Sequence, residues 1–189
     1  TITLTRSNSS SSSLDLRPSS TDYDLSAGFL VVATSGTLDA GSASSAITLT
    51  GTSGTLFTKA GTFTQGTSEV IITSASGTPT LLSAATTFHK LTINSTATVI
   101  NAGAVITLSS ADAANKLYIQ QGVLNDGGNQ IVGTANGTMQ IDASAMLCIN
   151  GTAAGTNATC NSGATIGGGS GGFPTNYTNG NITLAVTST

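Results

Sequence analysis

The stretch Ala46-Ile47-Thr48-Leu49-Thr50-Gly51-Thr52-Ser53-Gly54-Thr55-Leu56-Phe57 decides the fold class. Its opening residues alternate, with Ile47 and Leu49 on one side and Thr48 and Thr50 on the other. That period of two is the signature of a strand with one buried face. Gly51, Ser53 and Gly54 then punctuate the chain, and a new apolar run begins at Leu56. Strand, tight turn, strand is the reading, with no room for a helix between.

The same unit recurs outward from this stretch. The triplet Ile-Thr-Leu occurs four times, at Ile2-Thr3-Leu4, Ile47-Thr48-Leu49, Ile106-Thr107-Leu108 and Ile182-Thr183-Leu184, and Leu91-Thr92-Ile93 is its mirror. The best helix candidate, Ser109-Ser110-Ala111-Asp112-Ala113-Ala114-Asn115, is too short to stand alone. A longer internal match joins Phe29-Leu30-Val31-Val32, Gly36-Thr37-Leu38-Asp39-Ala40-Gly41 and Gly51-Thr52-Ser53-Gly54-Thr55-Leu56-Phe57 to Leu117-Tyr118-Ile119, Gly122-Val123-Leu124-Asn125-Asp126-Gly127 and Gly133-Thr134-Ala135-Asn136-Gly137-Thr138-Met139. These two blocks, about 29–57 and 117–141, are offset by roughly 85 residues, longer than one coil of any solenoid.

Composition narrows the class further. Of 189 residues only 7% are charged and 4% aromatic, Trp is absent, and the net charge is −3. Nucleic-acid binding needs clustered Lys and Arg, and five basic residues in all cannot supply that patch. The hydrophobic fraction of 38% and the wealth of Val, Ile and Thr argue against disorder. No apolar run reaches the roughly 18 residues of a membrane helix. With Thr1 first and no signal peptide, the chain reads as a processed protein or an excised segment.

Short strands joined by tight turns, with no helical crossovers, stack as an all-β parallel β-helix, or β-solenoid, of several coils. Ile, Leu and Val are expected to point inward, Thr and Ser outward into water, with Gly and Asn at the corners. An antiparallel β-sandwich uses the same residues and is the alternative, though it usually carries a buried Trp. Residues 1–28 stand apart: Ser9-Ser10-Ser11-Ser12-Ser13 is low complexity, and Arg6, Asp15, Arg17, Asp22 and Asp24 concentrate charge before Ser26. They read as an N-terminal extended arm, and 29–189 as the β-solenoid.

The segment Gly61-Thr62-Phe63-Thr64-Gln65-Gly66-Thr67-Ser68-Glu69-Val70-Ile71-Ile72, followed by Ala85-Thr86-Thr87-Phe88-His89-Lys90-Leu91-Thr92-Ile93-Asn94, resembles a recurrent pattern of Thr/Gly/Asn-rich β-solenoid repeat regions in large bacterial surface proteins of adhesin or filamentous type. Gly172-Phe173-Pro174-Thr175-Asn176-Tyr177-Thr178-Asn179-Gly180-Asn181-Ile182-Thr183-Leu184 looks like another such stretch. The likeness covers most of 29–189 and leaves out 1–28. It implies an extracellular stalk and carries over no catalytic residue.

Few residues offer chemistry. Cys148 and Cys160 lie in no C-x-x-C motif and near no His cluster; a disulfide closing 149–159 is expected, which places the chain in an oxidising compartment. Two buried thiols are the other reading. Sequons mark Asn8, Asn94, Asn136, Asn150, Asn157, Asn176 and Asn181 as candidate N-glycosylation sites. His89 has no acidic neighbour in sequence and is expected to be structural. Asp39, Glu69, Asp112, Asp126 and Asp142 are dispersed, and Asp39 and Asp126 sit at glycine corners, which is turn chemistry. Gly167-Gly168-Gly169-Ser170-Gly171-Gly172 lacks the Lys and helix of a phosphate loop and reads as a flexible loop. Neither a cofactor nor a metal is expected.

The functional expectation is a non-enzymatic structural subunit of an extracellular filament or surface stalk. It would assemble head-to-tail into a homopolymer, with Ile2 and Leu4 of one copy meeting Ile182 and Leu184 of the next. The alternatives are a glycan-active secreted β-solenoid and an ice-binding one. Local Thr-x-Thr motifs suggest the last, but they fall at irregular intervals.

Overall fold

Alternating Ile/Leu and Thr over three to five residues makes a strand too short to bury its apolar side alone. Each coil therefore needs another beneath it. A computed structural model shows that solution; it describes residues 1–4, 12–16, 23–41, 45–96, 99–109, 115–132, 138–148 and 165–172. All described secondary structure is β, and the chain winds as a three-sided parallel β-solenoid.

The first coil is β1 (Ile2–Leu4), β2 (Ser12–Asp15) and β3 (Leu25–Ala27), one strand per side. The second is β4 (Leu30–Val32), β5 (Gly36–Asp39) and β6 (Ala46–Leu49), and the third β7 (Thr55–Lys59), β8 (Thr62–Thr64) and β9 (Glu69–Ile72). The fourth is β10 (Thr80–Leu82), β11 (Thr86–Phe88) and β12 (Lys90–Asn94). Next come β13 (Ile100–Asn101), β14 (Ile106–Leu108) and the first half of β15 (Asn115–Asn125). The second half of β15 opens another coil with β16 (Ile131–Val132) and β17 (Thr138–Cys148). The last described strand is β18 (Thr165–Gly172).

The first side stacks β1, β4, β7, β10, β13 and the end of β15; the third stacks β3, β6, β9, β12 and the start of β15. β15 and β17 each turn the corner between these sides without a break, so both belong to one twelve-stranded sheet. In β15 the turn falls at Gly122, whose φ of 85° is a left-handed value that favours glycine. The second side consists of two separate sheets, β2-β5-β8 and β11-β14-β16. No strand pairing crosses from β8 to β11, and aromatic rings fill that break. Phe63 lies 6.1 Å from Phe88, and Phe57 from the first side sits 5.1 Å from Phe63 and 6.4 Å from Phe88.

The core is a set of in-register aliphatic ladders about 4.8 Å apart per rung. Leu30, Phe57 and Leu82 stack on the first side, and Ile47, Val70, Leu91 and Leu117 on the third, all essentially inaccessible. Corners are tied by local polar chemistry. Asp39 Oδ1 accepts from Gly41 N at 3.0 Å and Asp126 Oδ1 from Gly128 N at 2.9 Å, so both carboxylates do make turns.

Polar side chains turn inward at two corners, and at the first of them serines depart from the expected pattern of hydroxyls facing water. Ser74 and Ser95 are wholly buried at the corner between third and first sides; Ser74 Oγ donates to Gly51 O and Ser95 Oγ to Ser74 O (2.6 Å). Asn101 and Asn125 stack inside at another corner, Asn125 Nδ2 donating to Asn101 Oδ1 at 3.2 Å. A corner carbonyl turned inward has no water, and a side chain one coil away satisfies it.

The residues set apart as an N-terminal arm supply β1, β2 and β3, paired in register with β4, β5 and β6. The two similar blocks are rotated by one side relative to each other: Leu38 lies on the second side in β5, Leu124 on the first in β15. The repeating unit is the coil, from 20 residues (Thr86 to Ile106) to 28 (Ile2 to Leu30). The glycine run at 167–172, expected as a loop, belongs to strand β18, because β17 offers it a ladder of hydrogen-bond partners. Ser110 to Ala114 of the helix candidate lie outside the described residues, and Asn115 begins β15.

Candidate functional site

The described ladders are least buried at the first coil. Leu30, Leu38 and Ile47 are fully buried, yet the rungs before them, Ile2, Leu14 and Leu25, are only half-buried. Among the described residues, β1, β2 and β3 each have a partner strand on one side alone. Among the described residues no strand lies on the outer edge of this coil, where Ile2, Leu14 and Leu25 are half-buried. Such an edge is a template for another strand. Ile2 and Leu4 stand in this coil, in register with Leu30 and Val32. Ile182 and Leu184, expected to meet them, lie outside the described residues.

The opposite end differs. β18 pairs antiparallel with β17 along both of its halves, Thr138 facing Gly172 and Cys148 facing Thr165. Ile141, Ala145 and Leu147 are correspondingly buried.

The densest chemistry lies on the outer surface of the third side. Lys90 Nζ is 3.1 Å from a Glu69 carboxylate oxygen, and Thr92 Oγ1 donates to the same Glu69. Further along, Tyr118 Oη donates to Asp142 Oδ2 at 2.7 Å and Gln140 Nε2 to Asp142 Oδ1 at 2.9 Å. The hydrogen bond to Asp142, then partial desolvation and the carboxylate's charge, hold the Tyr118 phenol above its ordinary value of 10.0. Sequence reading missed these pairs. The signal was there: Tyr118 and Asp142 are 24 residues apart, about one coil. A glycosidase carboxylate pair stands roughly 5–9.5 Å apart. Glu69 and Asp142 are three strand steps apart, through β12 and β15, or about 14 Å. They cannot share one glycosidic bond.

The Thr residues that fall irregularly in sequence do align on the second side. Thr37 pairs with Thr62 and Thr87 with Thr107, because corners of unequal length absorb the irregularity. The adjoining row runs Asp15, Asp39 and Thr64, whose carboxylates break any uniform hydroxyl array.

Of the remaining candidates, Cys148 is buried at the end of β17, and Cys160 lies outside the described residues. Asn94 ends β12, half-buried and in register with Gln121; Asn8, Asn136, Asn150, Asn157, Asn176 and Asn181 lie outside the described residues. His89 sits half-buried at the corner between β11 and β12. Among the described residues no three His, Cys, Asp or Glu gather as metal ligands, and no helix is long and apolar enough to cross a membrane. The chain matches no protein-family model, and neither the curated proteins nor the solved structures offer a match.

Proposed function

We propose that the chain is a non-enzymatic stacking segment of an extracellular filament or adhesin-like surface stalk, joined to further copies of itself through its first coil. The observation that carries this reading is the half-open rung of Ile2, Leu14 and Leu25 beside fully buried Leu30, Leu38 and Ile47. Completing the burial of each is worth about 1 kcal/mol, half of a full aliphatic burial. Three such side chains plus new ladder bonds make a contact that forms at high local concentration. Low charge supports the reading, since stacked copies repel one another little. A Cys148–Cys160 disulfide and glycans on the sequon asparagines belong to the same proposal, as features of an oxidising, extracellular setting.

The test is electron microscopy and sedimentation velocity of the full chain over a concentration series, beside the variant Leu14→Asp. Fibres or oligomers that lengthen with concentration, and that Leu14→Asp abolishes while circular dichroism stays unchanged, are expected. Monomers at every concentration overturn the reading, as does release of reducing sugar from a polysaccharide panel. Non-reducing mass spectrometry reads the disulfide.

A further inference from the structure

We infer that the level between the third and fourth coils is a hinge: the coils on either side of it swing apart about the third side, opening the second side and baring the rings of Phe57, Phe63 and Phe88. The device lies within the chain and stands whether or not copies stack.

The ties across this level are unequal. On the third side Glu69, Val70, Ile71 and Ile72 of β9 pair with Lys90, Leu91, Thr92 and Ile93 of β12. Glu69 adds an ion pair to Lys90 and accepts a hydrogen bond from Thr92, both crossing the same level. On the first side the pairing of β7 with β10 runs from Thr55 to Phe57 and stops. Thr58 and Lys59 pair with β4 but not with β10. Beyond Phe57 the two coils meet through Ser83, whose N–H donates to Phe57 O at 3.2 Å and whose Oγ accepts from Lys59 N at 3.0 Å. On the second side β8 and β11 do not pair. Thr64 O accepts from Ala40 N, and Thr86 N donates to Val105 O, so both residues face away from the break. By alternation the backbone groups of Phe63 and Thr87 point across it. At each of the other levels from the first coil to the sixth, all three sides pair.

Chain length causes the break. Glu69 follows Phe57 by twelve positions, whereas their ladder partners, Lys90 and Leu82, are eight apart. At about 3.3 Å per residue the fourth coil has about 13 Å less chain for this passage. Most of the shortage falls at the corner after β11, which is His89 alone; the third coil has residues 65–68 there. Gln65 of the third coil reaches past that short corner to Ser109 of the fifth, Nε2 donating to Oγ at 3.3 Å. This bond is a latch over the break. It is exposed, so water replaces it at little cost. Inside, the three rings close the break by packing, which is non-directional and tolerates a rotation that a ladder would resist.

The test is native-state hydrogen exchange of the full chain, resolved by amide. With the third side as axis, opening is widest at the far end of the first side. The Ser83 amide is therefore expected to exchange at least tenfold faster than that of Asn101, which donates to Pro79 O one level further on. Thr80, bonded to Gly54 O nearer the axis, should fall between them, and the β12 amides that face β9 should stay protected. Gln65→Ala removes the latch and should speed Ser83 at least threefold. Gln65→Cys with Ser109→Cys, joined by a short bis-maleimide, should slow it at least tenfold. Circular dichroism should be unchanged in both. The hinge falls if neither variant moves the Ser83 rate, if the β12 amides exchange as fast as Ser83, or if Ser83 exchanges no faster than Asn101. None of these readouts needs copies to assemble, so the stacking function stands or falls separately.

Discussion

Phe57→Ala tests whether aromatic packing holds the second side together where its hydrogen bonds stop. Phe57 is fully buried and sits against Phe63 at 5.1 Å, edge-on at 85°, and against Phe88 at 6.4 Å. Those two rings belong to β8 and β11, the strands between which pairing is broken. Truncating a buried Phe costs about 3–5 kcal/mol from transfer and cavity together. The two ring contacts, each worth about 0.5–1.5 kcal/mol beyond area, place this site toward the upper end. For a chain of this size about 4 kcal/mol lowers Tm by roughly 8–16 °C. Thermal unfolding by circular dichroism measures the total. Hydrogen exchange locates it: protection should fall first at Thr62–Thr64 and Thr86–Phe88. A control, Leu124→Ala, removes an equally buried rung far from the break and should leave those two strands protected. A Tm shift under about 2 °C, or equal loss of protection along the whole solenoid, refutes the idea that the rings stand in for the missing ladder.

Three further outcomes follow from the same geometry. Gly66→Ala should cost about 2 kcal/mol or more, because its φ is 52° and a Cβ would lie 1.6 Å from Gly41 O; Gly54→Ala, with φ 66° and nothing within 4 Å, should cost only about 1 kcal/mol, and denaturant melts of the pair measure the difference. Asn125→Ala strips Asn101 Oδ1 and Gly127 N of their partner at a buried corner and should lose about 2 kcal/mol in the same melts. Asp142→Asn should lower the Tyr118 titration toward 10.0, read by ultraviolet absorbance of tyrosinate. The folded Tyr118 value lies above the unfolded one, so its contribution to stability is complete below pH 10.0 and is lost as pH rises through the folded value; the variant should lack that loss.

The strands themselves were legible residue by residue. Ile47-Thr48-Leu49, Ile106-Thr107-Leu108 and Leu91-Thr92-Ile93 each form a strand, as alternation demands. Their side of the solenoid was not legible. The same triplet lies on the first side in β1, on the third in β6 and on the second in β14, since all three sides bury one face against the same core. This is why the similar blocks around Leu38 and Leu124 mislead about the repeat: they share a strand pattern, not a place in the coil. The polar stripe was hidden for a related reason. Tyr118 and Asp142, or Glu69 and Lys90, become neighbours only once coils of unequal length are wound in register.

Local chemistry alone determined that this chain would be β throughout, turning at Gly, Asn and Asp and stacking its aliphatics inside. Those outcomes depend on side-chain period and on backbone freedom at single residues, which sequence displays directly. Tertiary structure decided the rest. It brought β1, β2 and β3 into the first coil, turned Ser74 and Ser95 inward to reach corner carbonyls, and made a strand of the glycine run at 167–172. In each case the deciding partner lies a coil or more away in the chain. A hydrogen bond or a rung between coils is set by the length of every loop between its two ends, and no local pattern records that sum.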